Sequence, residues 1–346
     1  MPGLRIALLL GTPGKSWGGM EQHTLDLAQS LASRDYNVHL LAHPEFRPRM
    51  TPPLIFHPLP MNLGRRNPWL RHRIAKILRD LQPDICHAQG NKAAALLSHS
   101  RRSLQGGLYV GTVHGIKSSH QAFNRLDGVI AVSQTILASI AHPHKVCIYN
   151  GIADRSEVKI QTDVRSKTEP DRWPLVVAIG RLEPVKGFDT LLRAWHHANQ
   201  PGNLVIIGSG SQEAPLKTLR ERLGLESTVS FAGHRTDVAQ WLARADVCVI
   251  SSHREGFPYV LIEALQAACP VLATPVGGPA ELLPANSLST DHSSYALAAL
   301  LQKQLADLPA LRESQRAIAE FARSNLTLAA MTNQTEAFYR SLSPVE

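Results

Sequence analysis

The chain has 346 residues, of which 44% are apolar and 18% are charged. This composition is typical of a soluble globular protein long enough for two domains, and it excludes collagen-like and intrinsically disordered classes. The formal net charge of +8 lies entirely in residues 1–155, which hold 18 basic and 8 acidic side chains. No apolar run approaches the ~18 residues of a membrane span. Because only 5% of the residues are aromatic and no recognition motif occurs, nucleic-acid binding is not expected.

The first half is predicted to alternate short buried strands with amphipathic helices. Its first apolar run, Arg5–Leu10, leads into a glycine-rich loop with no small-residue cleavage pattern, so we interpret it as a strand and not as a signal peptide. Strands separated by helices imply βαβ crossovers and a parallel sheet. Further strands are predicted at Val38–Ala42, Ile55–Leu59, Ile85–Ala88, Leu108–His114, Gly128–Val132 and Val146–Tyr149, and helices at Met20–Ser33, Trp69–Leu81, Ala93–Ser100 and Gln134–Ala141.

Much of the positive charge is concentrated between residues 65 and 79. Helical spacing places the basic residues on one stripe and the apolar residues on another, a pattern found at membrane surfaces. The alternative is an ordinary surface helix that covers the core with its apolar stripe and exposes its basic stripe to solvent. The apolar stripe is predicted to comprise Trp69, Leu70, Ile74, Ile77 and Leu78, and the candidate contacts to an anionic membrane or acceptor are Arg65, Arg66, Arg71 and Arg73.

Residues 152–174 are polar and lack a sustained period, and this predicts an interdomain linker at residues 156–172. Domains are therefore expected at residues 1–155 and 173–325, followed by a terminal helix, residues 326–346, that crosses back to the first domain. The second half repeats the alternation and is predicted to be a second doubly wound unit. Its strands are predicted at Leu175–Ile179, Leu204–Ile207, Val229–Ala232, Val247–Ser251 and Val271–Thr274, and its helices at Phe188–His197, Ala214–Leu223, Val238–Ala243, Tyr259–Ala268 and Leu328–Leu342.

The four cysteines each lie in or beside an apolar run, and no two of them form a CxxC pair. This pattern predicts reduced core residues of a cytoplasmic protein, with neither a zinc site nor a disulfide framework.

A glycine-rich loop, Gly11–Glu21, connects the first strand to the first helix. Glycines allow a close approach of the backbone to a ligand, and the following helix N-terminus favours anions. The loop matches neither a P-loop nor the GxGxxG dinucleotide fingerprint. A ligand-binding loop and a flexible strand-to-helix turn therefore both remain open.

Charged residues follow two of the strands predicted for the second half. Arg181 and Lys186 lie in the loop after the first strand and suit a diphosphate; as isolated residues they would be ordinary surface cations. Glu255 lies in the loop after a later strand, and Glu263 lies in a helix that is otherwise apolar and starts near Pro258. A carboxylate at residue 263 needs hydrogen-bond partners such as ligand hydroxyls, unless it is an exposed, ion-paired glutamate.

These residues stand in three spaced motifs, GRLEPVKG, EGFPYVLIE and TPVGGPAEL. Together with WGGMEQHTLDLAQSLASRDYNVHLLA, TVHG, VIAVS, YNGI, VIIGSGS and VSFAGH, they give the chain a resemblance to the retaining GT-B glycosyltransferases of family 4 over nearly its whole length. The resemblance implies an α/β fold of two Rossmann-like, doubly wound parallel-sheet domains facing a central cleft. It also implies a nucleotide-sugar donor bound by the second domain and a glycan or glycolipid acceptor bound by the first.

The resemblance assigns roles to individual residues. Arg181 and Lys186 would neutralise the donor diphosphate, while Glu255 and His114 would contact the transferred sugar. Glu263 would bind the ribose hydroxyls. The residues implied as catalytic are His114, Arg181, Lys186 and Glu255, and those implied to bind nucleotide and sugar are Gly18, Gly19, Gly180, Gly208, Gly210, His234, Gly256, Phe257, Pro258 and Glu263.

The family forms an α-glycoside with retention at the anomeric carbon. A double displacement would need a carboxylate nucleophile close to that carbon, and in the first half Glu21 and Asp127 are only weak candidates. A front-face route, in which the leaving phosphate accepts the acceptor proton, is therefore expected. No Asp-x-Asp sequence occurs, so we expect a metal-independent enzyme without a cofactor.

The acceptor is expected to be anionic and membrane-borne, because the basic domain is the one that binds acceptors in this fold. A lipopolysaccharide core or lipid-linked glycan is favoured, for an enzyme at the cytoplasmic face of the inner membrane. The alternatives are a sugar-nucleotide epimerase and a nonenzymatic sugar-nucleotide-binding protein. A GT-B phosphorylase would bring a pyridoxal-binding lysine and a far longer chain.

Overall fold

The computed structural model describes residues 3–14, 17–101, 106–116, 119–153 and 173–342. Two compact units divide the chain: Met1–Gly151 with Thr327–Glu346 forms the first, and Ile152–Leu326 forms the second. The first stretch of the first unit thus ends at Gly151, four residues before the expected domain boundary. The segment that returns to this unit begins at Thr327. The linker expected at residues 156–172 lies outside the described residues.

The first unit is built on a parallel sheet of seven strands in the order β3-β2-β1-β4-β5-β6-β7. Apolar residues of the strands and of the covering helices form its core, as expected when both faces of a parallel sheet are covered by crossover helices. The strands are β1 Arg5–Leu10, β2 Asn37–Ala42, β3 Ile55–Pro58, β4 Ile85–Gln89, β5 Leu108–Val113, β6 Gly128–Ala131 and β7 Lys145–Cys147, and the helices are α1 Gly19–Ala32, α2 Pro68–Leu81, α3 Gly90–Ser100 and α4 Gln134–Ala138.

Helix α2 shows how local sequence sets an element of this unit. Asn67 caps it by accepting a hydrogen bond from Leu70 N at 2.9 Å, Pro68 is its first residue, and Gln82 ends it in the left-handed conformation. Its buried face consists of Leu70, Ile74 and Leu78.

The apolar stripe predicted for α2 is wrong at one position. Trp69 lies outside the buried face and is 53% exposed, and Ile77 is half-buried. Trp69 precedes Leu70 by one residue, a helical rotation of about 100°, so it turns away from the core. There it lies against Arg73, whose guanidinium carbon is 5.7 Å from the indole centroid.

The second unit contains a parallel sheet of five strands in the order β10-β9-β8-β11-β12. The predicted doubly wound parallel architecture is confirmed in both units. The strands are β8 Leu175–Ile179, β9 Asn203–Ile207, β10 Val229–Gly233, β11 Val247–Ile250 and β12 Val271–Ala273, and the helices are α5 Phe188–His197, α6 Glu213–Arg222, α7 Val238–Arg244, α8 Tyr259–Gln266, α9 Gly277–Leu282, α10 Ser294–Leu305, α11 Leu308–Ser314 and α12 Arg316–Asn325.

Helix α9 is absent from the elements predicted by the sequence. It begins at Gly277-Gly278-Pro279, residues that indicate a turn in a single sequence. The helix forms because tertiary contacts fix this segment: an ideal Cβ on Gly278 would lie 2.5 Å from the Phe257 ring.

The chain returns to the first unit in α13, Leu328–Leu342. Its buried face places Met331 and Tyr339 in the core of that unit, and Arg34 Nη1 lies 3.2 Å from Glu336 Oε2 beside α1. At Gly128 an ideal Cβ would lie 2.3 Å from a methyl carbon of Leu342, so a larger residue would require the side chains of this helix to move. Within the described residues, no helix combines the length and apolarity required to traverse a bilayer.

Candidate functional site

The sheet of the second unit reverses its winding between two neighbouring strands. From β8 the chain proceeds outward to β9 and β10, whereas β11 lies on the other side of β8 and leads to β12. Ligands of doubly wound sheets bind outside the carboxyl ends of the strands at such a switch point. Two loops start there, residues 180–187 after β8 and residues 251–258 after β11, and they carry seven of the eleven site residues predicted for this unit.

Lys186 and Glu255 meet between these two loops. Lys186 Nζ lies 2.5 Å from Glu255 Oε1, with the side chains 22% and 12% exposed, and Ser252 Oγ donates to the same oxygen at 2.7 Å. An ammonium carries three donors and a carboxylate two acceptor oxygens. In the described part of the chain Glu255 Oε2 has no partner, so both groups keep capacity for a ligand. The sequence placed the two residues in one site but did not predict their ion pair.

A glycine allows the two loops to touch. Gly187 has φ +62°, and an ideal Cβ at this residue would lie 2.1 Å from Ser251 O. Ser251 Oγ donates to Lys186 O at 3.0 Å, and His253 N donates to Val185 O at 2.9 Å. These backbone contacts hold Lys186 against Glu255, and a side chain at residue 187 would separate the loops.

Arg181 lies on the same loop as Lys186, directly after Gly180. It is exposed, and it has no hydrogen bond or ion pair within the described residues. Its guanidinium, five residues before Lys186, is thus available for a ligand at the end of β8. This loop therefore supplies two cations: Lys186, which is paired with Glu255, and Arg181, which is exposed to solvent.

The two glycines of the IIGSGS motif are explained by loop packing. An ideal Cβ on Gly208, which has φ +146°, would lie 1.9 Å from Gly180 O, and one on Gly210 would lie 2.4 Å from Leu182 O. Leu182 N also donates to Ser209 O at 2.9 Å. The loops after β8 and β9 therefore need these glycines to pack, independently of their expected contact with a nucleobase.

The EGFP segment leads from Glu255 into α8. Gly256, Phe257 and Pro258 are buried, Pro258 is the N-cap, and the helix begins at Tyr259. Gly278 N donates to Gly256 O at 2.8 Å, so the TPVGG segment is hydrogen-bonded to this turn.

Glu263 lies on α8, half-buried between apolar neighbours. Leu261, Ile262, Ala264 and Leu265 are buried, whereas Glu263 reaches partial exposure. It has an interaction within the protein, and its partial exposure leaves the side chain within reach of solvent. His234, at the end of β10, is exposed and follows Gly233, which has φ +66°.

The first unit holds His114 directly after β5. His114 Nε2 hydrogen-bonds Gln89 Oε1 at 2.7 Å, and its ring packs edge-to-face on the ring of His23, with centroids 4.7 Å apart. Burial, together with the nearby imidazoles of His23 and His87, holds the pKa of His114 well below 6.5. The side chain is therefore neutral at physiological pH.

Two further histidines surround His114. His23 Nδ1 donates to Asn150 Oδ1 at 2.9 Å, and burial lowers the pKa of His23 to about 4 despite that bond. His87 is fully buried, and burial lowers its pKa to about 3. This cluster was not predicted from the sequence. His87 and Gln89 are two residues apart on β4 and therefore lie on one face of the strand, and this spacing could have indicated that they share a site.

The remaining predicted residues of the first unit lie at two separate places. Gly18 and Gly19 form the start of α1, where Gly18 N donates to Glu21 Oε2 at 2.9 Å. Arg65, Arg66 and Arg73 are exposed and Arg71 is half-buried, around the N-terminal turns of α2.

Both weak candidates for a carboxylate nucleophile are engaged by the protein. Glu21 is 7% exposed and caps α1. Asp127 pairs with Arg101 Nη2 at 2.6 Å and accepts from Tyr109 N at 2.8 Å. Each carboxylate would therefore have to break its contacts within the protein before it could act as a nucleophile. No cluster of three or more His, Cys, Asp or Glu able to hold a metal ion is found among the described residues.

Two family models match the sequence. The model described as Glycosyltransferase Family 4 matches residues 17–155, and the model described as Glycosyl transferases group 1 matches residues 159–325. The first covers most of the described first unit and the second covers almost all of the second unit.

Individual relatives match shorter stretches. An uncharacterized glycosyltransferase of Haemophilus influenzae is 35% identical over 101 residues, 28% of this chain and 29% of that protein. The lipopolysaccharide core biosynthesis glycosyltransferase LpsE of Rhizobium meliloti is 25% identical over 211 residues, 60% of each chain. The chain thus aligns with less than two thirds of the length of these relatives.

A solved structure shares the fold over nearly the whole chain. The Anabaena protein HepE, in complex with UDP-glucose, matches with a TM-score of 0.81 over 98% of this chain and 100% of its own, at 21% identity. This likeness shows the same fold, in which two parallel-sheet α/β units follow one another along the chain.

Proposed function

This chain belongs to the glycosyltransferase group 1, family 4 proteins, whose two models together match residues 17–155 and 159–325, and we propose that it moves a hexose from a nucleotide-diphosphate sugar to a saccharide or lipid-linked acceptor. The observation that carries the proposal is the contact between Lys186 and Glu255 at the switch point of the second unit. It sets a cation for the donor diphosphate beside a carboxylate for the sugar hydroxyls.

The second unit places positive charge where the proposed reaction develops negative charge. As the bond between the anomeric carbon and the phosphate oxygen breaks, negative charge grows on the diphosphate, and Lys186 and Arg181 stabilise it. Glu255 accepts hydrogen bonds from sugar hydroxyls through Oε2, while Lys186 and Ser252 hold Oε1. Because both cations come from the protein, we propose that transfer needs no metal ion.

The proposed stereochemical outcome is retention through a front-face reaction. The acceptor oxygen bonds to the anomeric carbon on the face that the phosphate leaves, and the acceptor proton passes to the departing phosphate oxygen. The products are an α-glycoside and a nucleoside diphosphate. The engagement of Glu21 and Asp127 in protein contacts supports this route over a double displacement.

The proposed acceptor is anionic and membrane-borne, with a lipopolysaccharide core favoured. The exposed surface around α2 joins arginines to Trp69, which is 53% exposed; a basic surface with an interfacial aromatic residue suits an anionic lipid bilayer. The similarity to a lipopolysaccharide core glycosyltransferase at 25% identity supports the same acceptor class.

Nucleotide binding is tested by thermal shift with UDP, GDP, ADP and their sugar conjugates, with and without Mg²⁺. A nucleotide at 100 times its Kd stabilises the unit that binds it by about 2.7 kcal/mol, which raises the Tm of a unit of this size by about 5–10 °C. We expect one nucleotide to do so without Mg²⁺ in the wild type and in the exposed control Glu226→Ala, and to fail with Glu263→Ala. The absence of a shift with every nucleotide would remove the support for this donor class.

Turnover distinguishes transfer from the alternatives. An epimerase converts the nucleotide sugar without acceptor, and a nonenzymatic binder tolerates the loss of Lys186. We expect Lys186→Ala to lower kcat by about 100-fold or more, whereas Lys217→Ala, which removes the exposed ion pair with Glu213, leaves kcat unchanged. Equal nucleotide binding in both variants, together with no turnover in the wild type, would favour the nonenzymatic alternative.

A further inference from the structure

Hydrogen-bonded side chains lead from His114 into the core of the first unit. His114 Nε2 lies 2.7 Å from Gln89 Oε1, Gln89 Nε2 lies 3.4 Å from His87 Nε2, and His87 Nδ1 lies 2.6 Å from the hydroxyl of Tyr339. Gln89, His87 and Tyr339 are each at most 1% exposed. Water therefore cannot replace a partner that one of them loses.

Gln89 determines the direction of donation because the two ends of its carboxamide differ. Oε1 only accepts, so His114 Nε2 must carry a hydrogen. The amide nitrogen only donates, so His87 Nε2 must present a lone pair, which also accepts from Thr112 Oγ1 at 2.7 Å. The single hydrogen of the neutral His87 ring is then on Nδ1 and is donated to Tyr339.

The same arrangement fixes what His114 can offer a ligand. Its ring is neutral and its hydrogen is on Nε2, so Nδ1 is an acceptor. If the proposed function holds, this nitrogen accepts a hydrogen from a hydroxyl of the transferred sugar. The edge-to-face contact with the His23 ring restrains the His114 plane, so a change in hydrogen bonding alters its tautomer rather than its orientation.

We propose that Tyr339, on α13, is a positioning residue that sets the tautomer of His114 through His87 and Gln89. Without the tyrosine hydroxyl, Nδ1–H of His87 has no acceptor, and the hydrogen moves to Nε2, where Thr112 Oγ1 accepts it. The amide nitrogen of Gln89 then faces an N–H instead of a lone pair, so the carboxamide turns over and its nitrogen donates to His114 Nε2. The hydrogen of His114 shifts to Nδ1, so this nitrogen donates to a sugar hydroxyl instead of accepting from it.

The direct test is ¹⁵N NMR of the histidine rings in the full-length protein without ligand, since the two neutral tautomers have distinct ring-nitrogen shifts. The His114→Gln variant serves only to assign the signal. We expect His114 as the Nε2–H tautomer in the wild type and as the Nδ1–H tautomer in Tyr339→Phe. The control is Tyr109→Phe, which removes a hydroxyl from a tyrosine 3% exposed in the same unit, where that hydroxyl donates to Gly106 O at 3.5 Å, and leaves the wild-type tautomer. An Nδ1–H tautomer in the wild type, or no change in Tyr339→Phe, overturns the proposal.

Kinetics separate positioning from a purely structural role. We expect Tyr339→Phe and Gln89→Met each to lower kcat/KM by about 10-fold, and the double variant to lose no more than either single variant, because both break one chain. Additive losses contradict the proposal, and Gln89→Met alone decides it if Tyr339→Phe fails to fold. The NMR result needs no substrate, so an absence of transfer activity in the wild type contradicts the proposed function while leaving the positioning role to be judged by the tautomers.

Discussion

Three neighbouring histidines of the first unit, His23, His87 and His114, are neutral because the fold removes them from water. Burial lowers the pKa of His23 to about 4 and of His87 to about 3, against 6.5 in an unfolded chain. The charge of one imidazole would also repel its neighbours, as the lowered pKa of His114 shows. Their neutral rings are suited to hydrogen bonding with hydroxyl groups and not to holding an anion.

These lowered pKa values predict acid sensitivity. Between the folded and unfolded pKa values, the unfolded chain binds more protons, so the stability is complete above pH ~6.5 and falls as the pH drops toward 4. Each such histidine costs about 1.4 kcal/mol per pH unit in that window. We expect the free energy of unfolding to decline from pH 6.5 to 5, as measured by urea denaturation, and the decline to be smaller for His87→Gln. The exposed His72→Gln is the control; equal slopes in all three proteins would contradict the role of the cluster.

At the scale of elements, α2 combines a buried apolar face with a basic exterior. Leu70, Ile74 and Leu78 anchor it in the first unit, so the exterior is held rigidly with Trp69 at its start. Since the anchoring face is already buried, only the exterior is left for a membrane. The two interpretations of this sequence are therefore compatible, because the helix covers the core with one face and exposes its arginines on the other.

Vesicle flotation tests the membrane interpretation of α2. We expect the wild type to float with vesicles of phosphatidylglycerol and phosphatidylethanolamine, and replacement of Arg65, Arg66, Arg71 and Arg73 by Ser to abolish it, since each basic residue contributes about 1 kcal/mol at an anionic surface. The matched control replaces four exposed arginines of the second unit, Arg193, Arg222, Arg316 and Arg323, and should float as the wild type does. Flotation that survives the α2 replacements, or is absent in the wild type, would exclude this surface as the contact.

At the scale of the whole molecule, the alternation of apolar runs was sufficient to predict both parallel sheets. Strands buried on both faces give continuous apolar segments, and β1, β6 and β11 show this directly. The sequence could not reveal α9, because its two glycines favour a turn and the contact of Gly278 with Phe257 exists only in the fold. Contacts between distant residues, such as Lys186 with Glu255 and His87 with Tyr339, depend on strand order, and a single sequence does not specify it.

The uneven charge of the two halves leads to a prediction for the substrates. Residues 1–155 carry 18 basic and 8 acidic side chains, whereas the rest of the chain holds the remaining 18 basic and 20 acidic ones. Salt screens exposed charges over a Debye length of about 10 Å at 0.1 M and 3 Å at 1 M, so an anionic acceptor attracted by the first half is sensitive to ionic strength. The proposed donor site uses two cations, Lys186, which is 22% exposed and paired with Glu255, and the exposed Arg181, so we expect the donor to be less sensitive.

Steady-state kinetics between 50 and 300 mM KCl separate the two substrates. We expect the KM for an anionic lipid-linked acceptor to rise by about threefold to tenfold and the KM for the nucleotide sugar to change by less than about twofold, since screening acts mainly on the exposed cations. The α2 arginine-to-serine variant should have a high acceptor KM at low salt and little further dependence on KCl. An acceptor KM that is independent of salt in the wild type would show that recognition does not use this charge, and would favour a neutral saccharide acceptor.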